Sequence, residues 1–100
     1  MENKIDLENI ITNGALIVDV RTVDEYNSGH IAGSLNIPLD TIEEAMTWLI
    51  KDVPVVVVCE SGSRSGVAQQ ILQAHGYAKV YNGGSWNNFG EIKAGGCPVK

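Results

Sequence analysis

Val55-Val56-Val57-Val58-Cys59-Glu60-Ser61-Gly62-Ser63-Arg64-Ser65 is the stretch whose reading decides the fold of this chain. Four consecutive β-branched apolar residues after Pro54 predict a strand covered on both faces, the pattern of a central strand in a parallel sheet. The polar, glycine-bearing run that follows predicts a loop. Val67, Ala68, Ile71 and Leu72 then fall at helical spacing and predict a helix that ends at Gly76. A strand, a tight loop and a helix in that order put the loop at the carboxyl edge of a sheet, where α/β folds bind their ligands.

Working outward, the same alternation recurs. Residues 6–13 predict a short helix with Asp6 as N-cap and Gly14 as its stop, followed by the continuous apolar strand Ala15-Leu16-Ile17-Val18. Thr22-Val23-Asp24-Glu25 has capping-box spacing and predicts a helix to about Ser28, and residues 35–37 predict a short strand. Thr41-Ile42-Glu43-Glu44 repeats the capping-box spacing and predicts a helix to about Asp52. After the central loop and helix, residues 78–81 predict a last strand, Asn82-Gly83-Gly84 a turn, and residues 86–89 a short helix. Strands alternating with helices predict a single α/β domain over residues 1–100, with a central parallel sheet and helices on both faces.

Composition narrows the function. The chain has 100 residues, 44% of them hydrophobic, enough for one core and one site. Seven Lys and Arg against twelve Asp and Glu give a net charge of -5, the wrong sign for neutralising a phosphate backbone, so no nucleic-acid partner is expected. No signal-peptide pattern opens the chain and no apolar run is long enough to span a bilayer, so a cytoplasmic monomer without membrane contact is expected. Two cysteines, Cys59 and Cys97, are too few for a disulfide scaffold and lack zinc-site spacing, so no metal is expected. Cysteine reactivity is what remains.

Cys59 is placed for it. A free thiol with pKa about 8.5 is roughly 3% ionised at pH 7, and a value near 6 raises the thiolate to roughly 90%. A helix start beyond the loop, Gly62, and the small Ser61 and Ser63 let backbone N–H groups turn inward around a negative sulfur. Arg64 is expected to close the ring with its fork of donors, and Ser65 to cap the next helix. Asp19 and Arg21 fall on the same sheet edge, Asp19 to accept N–H bonds from nearby loops and Arg21 to pair with Glu25 across the turn. Trp86 is expected to cover the edge of the site. His30 is expected to pack or to bond a loop, since an ionised thiolate needs no base; His75 closes a helix, and Trp48 is either packing or a partner contact. Cys97, between Gly96 and Pro98, is expected to be passive.

Asp19-Val20-Arg21, Glu25-Tyr26, Gly29-His30-Ile31-Ala32-Gly33-Ser34, Asn36-Ile37-Pro38, the Cys59–Arg64 loop, Gly76-Tyr77 and Gly83-Gly84 with Trp86 together resemble the single-domain rhodanese-like sulfurtransferases. The resemblance implies a rhodanese-like α/β fold. It also implies a sulfurtransferase in which Cys59 takes a sulfane sulfur from thiosulfate, a polysulfide or a protein persulfide and passes it to cyanide or a thiol, with no cofactor. It implies that Glu60, Ser61, Gly62, Ser63, Arg64 and Ser65 surround the substrate, with Asp19, Arg21 and Trp86 as supporting candidates. Two alternatives stand beside it. One is a docking or redox-sensing module of the same fold, which would usually have lost the cysteine or the loop. The other is a phosphatase or arsenate reductase, whose Cys-x5-Arg loop is one residue longer than the Cys-x4-Arg found here. Glu60, in the loop, is expected to oppose a dianionic donor if it faces the pocket and to be neutral in effect if it faces solvent.

Overall fold

The computed structural model describes residues 7–89. Along the chain run α1 (Leu7–Thr12), β1 (Leu16–Asp19), α2 (Val23–Asn27), β2 (Leu35–Asn36), a 3-10 turn (Leu39–Thr41), α3 (Ile42–Ala45), β3 (Val55–Cys59), α4 (Ser63–Ala74), β4 (Val80–Ser85) and a second 3-10 turn (Trp86–Phe89). The four strands form one sheet in the order β2-β1-β3-β4, every pair parallel. The valine run is therefore the inner strand its composition predicts, and all five residues of β3 are buried.

Strand alternation sorts the core into two layers. Leu16, Val18, Val20, Val55, Val57 and Cys59 pack with Ile42, Ala45, Leu49, Ala68 and Leu72, beneath α3 and α4. Ala15, Ile17, Val56 and Val58 pack with Ile11, Ile31 and Phe89 on the other face. Each fully buried aliphatic side chain of this kind contributes about 1.5–3 kcal/mol. Cys59 is thus the last core residue on the α4 face, at the strand's carboxyl end, where α4 begins after a three-residue turn.

Three expectations need correction. The capping box at Thr22 forms, with Glu25 N–H donating to Thr22 Oγ1 and Thr22 N–H donating to Glu25 Oε1. The one at Thr41 does not. Pro38 starts a 3-10 turn, Thr41 Oγ1 donates to Pro38 O at 2.9 Å, and the Thr41 backbone (φ -115°, ψ 8°) is not in the extended region an N-cap needs. The helix after it is four residues long rather than reaching Asp52, and continues as a tightened turn through Met46 N–H to Glu43 O and Thr47 N–H to Glu44 O. Asn82-Gly83-Gly84, expected as a turn, belongs to β4. The register against β3 slips between Val57 and Val58, which pair with Asn82 and Gly84, so Gly83 is the extra residue of a bulge. A Cβ on Gly83 would lie 2.9–3.0 Å from Val56, Phe89 and Val58, so the strand passes only because no side chain is there.

Candidate active site

The loop after β3 wraps its backbone around one sulfur. Gly62 N–H donates to Cys59 Sγ at 2.9 Å and Ser65 N–H at 3.4 Å, and Ser65 Oγ lies 3.5 Å away. Gly62 is the N-cap of α4 at φ +103°, a left-handed conformation that β-carbon-bearing residues avoid, and this turn aims its amide at the sulfur. Burial of Cys59 pushes its thiol up. The Ser65 hydroxyl and the amides of Ser65, Gly62 and Ser61 more than offset that, and the thiol lies below its ordinary value.

Ser65 is not the helix cap. It is the third residue of α4, buried, and its hydroxyl donates to Asn82 Oδ1 at 2.6 Å. Gly62 holds the N-cap position instead, in the left-handed conformation, and no side chain caps the helix. Ser61 and Ser63 share a hydrogen bond at 3.4 Å on the exposed side of the loop.

Arg64 is also placed differently from expectation. Its Nη1 and Nη2 donate to Glu25 Oε1 and Oε2 at 2.8 and 3.1 Å, so its fork is spent on a carboxylate of α2. That pairing with Arg64, helped by the Thr22 amide, draws the Glu25 carboxyl down to about 2. The same contact holds the Arg64 guanidinium above its ordinary value. Arg64, Val20, Thr22, Pro38, Leu39 and Asp40 line an open cleft of about 380 Å³.

The expected Arg21–Glu25 pair is absent, because each residue has a better partner. Arg21, only 2% exposed, sets Nε and Nη2 against the buried Asp19 carboxylate at 2.7–3.1 Å and also donates from Nη2 to Gly29 O at 2.7 Å. The Asp19 hydrogen bond raises the Arg21 guanidinium above its ordinary value. Asp19 Oδ1 further accepts from Arg21 N–H, so it organises its own turn rather than the cysteine loop. The third nitrogen, Nη1, reaches Glu60 Oε1 at 3.4 Å, while the Trp86 ring lies 4.7 Å from the guanidinium carbon and Trp86 Nε1 donates to Glu60 Oε1 at 3.3 Å.

Glu60, which the sequence left between pocket and solvent, is therefore 55% exposed yet turned onto Arg21 and Trp86. Two guanidinium groups face three carboxylates, Asp19, Glu25 and Glu60, so the charges beside the loop sum to minus one before the sulfur is counted.

His30 takes no part: Nδ1 lies 2.8 Å from Tyr26 O and the ring stacks on Tyr26 at 3.7 Å. His75 is the C-cap of α4. Trp48 is exposed and borders a separate groove with Ile37 and Glu44. Cys97 lies outside the described residues. Among the described residues, no three His, Cys, Asp or Glu side chains cluster as metal ligands, and no helix is long and apolar enough to cross a membrane. The residue that sequence reasoning missed is Asn82. Its amide bonds Ser65, Gly62 O and Gly84 N–H, and an asparagine before two glycines carries no signal beyond turn formation.

Comparison with known proteins places the chain in a family. The chain is 39% identical over 82 residues, 80% of its length, to the uncharacterized protein YqhL of Bacillus subtilis, of which it spans 65%. It is 35% identical over 81 residues to the thiosulfate sulfurtransferase PspE of Escherichia coli, covering 79% of this chain and 78% of that one. The solved structure of a rhodanese with anions from Escherichia coli superposes with a TM-score of 0.70 at 34% identity, over 77% of this chain and 93% of the other. Residues 3–91 match the Rhodanese-like domain, and the chain belongs to that family.

Proposed function

We propose that this chain is a rhodanese-type sulfurtransferase that carries a sulfane sulfur as a persulfide on Cys59. The observation that carries the reading is the Cys59 sulfur itself, buried at the end of β3 with the Gly62 and Ser65 amides aimed at it. In the first half-reaction the Cys59 thiolate attacks the outer sulfur of the donor. A new S–S bond forms, the donor's own bond to that sulfur breaks, and the bonding pair leaves with the donor remnant, sulfite in the case of thiosulfate. An acceptor nucleophile, cyanide or a thiol, then attacks the outer sulfur and the pair returns to Cys59 as thiolate. Inward amides stabilise the thiolate at the start and the terminal sulfur of the persulfide afterwards. The similarity to a thiosulfate sulfurtransferase supports the same reaction class.

The donor we favour is a species of low charge, such as an uncharged organic polysulfide or a protein persulfide. Arg21 and Arg64 are both committed to carboxylates, so neither offers an unpaired positive charge to a dianion. A carboxylate about 4 Å from one unit of negative charge opposes it by about 1 kcal/mol even in water.

Mass spectrometry after incubation with thiosulfate or polysulfide tests the class. Wild type is expected to gain one sulfur on Cys59 and Cys59→Ser none; no adduct from any donor would instead mark a docking module. The donor preference is tested by Glu60→Gln, which is expected to raise kcat/KM for thiosulfate about fivefold and leave an uncharged organic polysulfide unaffected. Equal kinetics of the two proteins with thiosulfate would remove Glu60 from the account.

A further inference from the structure

The Ser65 hydroxyl has one proton and two claimants. Its oxygen lies 2.6 Å from Asn82 Oδ1 and 3.5 Å from Cys59 Sγ. The orientation of the Asn82 amide is fixed by two backbone groups of opposite kind. Gly84 N–H donates to one end at 2.9 Å, which must be the oxygen, and Gly62 O accepts from the other at 3.1 Å, which must be the nitrogen. Asn82 Oδ1 can only accept, so at 2.6 Å the hydroxyl proton points to Asn82 and the Ser65 oxygen shows the sulfur a lone pair. That suits a neutral thiol, whose S–H can donate to it. It does not suit a thiolate, which needs the proton turned the other way.

We propose that Asn82 is a positioning residue that governs the ionisation of Cys59 through Ser65, holding the hydroxyl proton while the sulfur is a thiol and yielding it when the sulfur becomes negative. The transfer of the hydrogen bond leaves nothing buried without a partner, because Asn82 Oδ1 keeps Gly84 N–H and the sulfur gains a hydroxyl donor beside the backbone amides of the loop. Asn82 thereby sets a fixed cost against ionisation, equal to one neutral hydrogen bond, and the Ser65 hydroxyl becomes a rotor with two positions. The charged groups around the loop are Asp19 and Arg21 at the end of β1, Glu25 on α2, Glu60 in the loop and Arg64 on α4; they pair with one another, whereas Asn82 bonds Ser65, Gly62 and Gly84. The path from Asn82 to the sulfur therefore runs through a hydroxyl and not through a charge.

The inference rests on Cys59 being the reactive sulfur proposed above, and its test reads the thiol directly, so a failed sulfur-loading assay and a failed result here are distinguishable. The rate of iodoacetamide alkylation at Cys59, followed by peptide mass spectrometry across pH, gives the midpoint of ionisation. Asn82→Ala releases the hydroxyl and is expected to lower that midpoint by about half to one pH unit, the worth of one neutral hydrogen bond. Ser65→Ala removes the rotor and is expected to raise the midpoint, and in that background Asn82→Ala is expected to change nothing further. Asn82 is exposed, so its replacement leaves the core intact, and Asn82→Leu, which keeps the bulk and lacks the acceptor, repeats the measurement should the alanine variant not fold. A residue that merely braces the loop through Gly62 would raise the midpoint when removed, and would do so equally with or without the Ser65 hydroxyl; either an upward shift, no shift, or the same shift in both backgrounds overturns the proposal.

Discussion

Arg64 grips Glu25 across 39 residues of sequence, Nη1 to Oε1 at 2.8 Å and Nη2 to Oε2 at 3.1 Å. The same Oε1 accepts from the backbone N–H and hydroxyl of Thr22, so one carboxylate closes the capping box of α2 and ties that helix to the first turn of α4. The arginine that ends the cysteine loop is in this way a brace for the loop's outer wall.

That double duty makes Glu25 a source of acid sensitivity. Its carboxyl is drawn from an ordinary 4.5 down to about 2, chiefly by Arg64 and then by the Thr22 amide, so the stability it supplies is fully present above about pH 4.5 and is lost as pH falls toward 2. Both side chains are about one-third exposed, which limits the contribution to about 1 kcal/mol after screening. In urea unfolding, Glu25→Gln is expected to fall below wild type by that amount at pH 7 and to match it near pH 2. A gap that stays constant with pH would separate the loss from ionisation.

The Asp19–Arg21 pair is the opposite case, since both side chains are almost wholly out of water. Removing one charge strands the other, at a cost of about 3–5 kcal/mol for a buried pair. Asp19→Asn is expected to lose about 3 kcal/mol in urea unfolding, at the low end because Glu60 and Gly29 O still hold the guanidinium. Adding Arg21→Met is expected to recover part of that loss, and a double variant weaker than the single one would show that Arg21 stabilises the fold without its partner.

The sheet and the position of Cys59 were legible because they follow from local pattern: four β-branched residues in a row can only be an inner strand, and the glycine-bearing loop after it has one place to go. Pairings were less legible. Arg21 and Glu25 stand four apart and look like partners, but Asp19 lies two residues from Arg21 on the same turn and Arg64 meets Glu25 from 39 residues further along the chain, a pairing only the tertiary fold makes. Asn82 was invisible for a similar reason. Its value comes from lying across from Ser65 and Gly62, beside a bulge where Val56, Val58 and Phe89 leave no room for a side chain on Gly83, a constraint that no local signal carries.

Gly83→Ala tests that bulge. The added methyl would meet three side chains at 2.9–3.0 Å, two of them in the central strand, and overpacking of this kind costs about 1–3 kcal/mol. Thermal unfolding is expected to show the loss, and Cys59 alkylation to become less uniform because Asn82 moves with β4. Unchanged stability would mean that Val56, Val58 and Phe89 all yield freely, and that the core beneath the bulge is not tightly packed.

Gly62→Ala separates the backbone of the loop from its side chains. At φ +103° alanine is strained by about 1–2 kcal/mol, and because the new methyl would lie 3.4 Å from Gly84 Cα, an ordinary contact, the strain is conformational rather than steric. The chain relieves it by rotating the peptide, which turns the 2.9 Å amide away from Cys59 Sγ. A hydrogen bond to a charged group contributes about 1.5–3 kcal/mol, so sulfur loading at neutral pH is expected to slow by at least about tenfold, with the ionisation midpoint of Cys59 raised. Gly62→Asn, which tolerates a left-handed backbone better, is expected to recover part of both losses. If Gly62→Ala is destabilised yet loads sulfur at the wild-type rate with an unmoved midpoint, the amide shapes the turn without supporting the sulfur, and the Ser61 and Ser65 groups carry the thiolate without it.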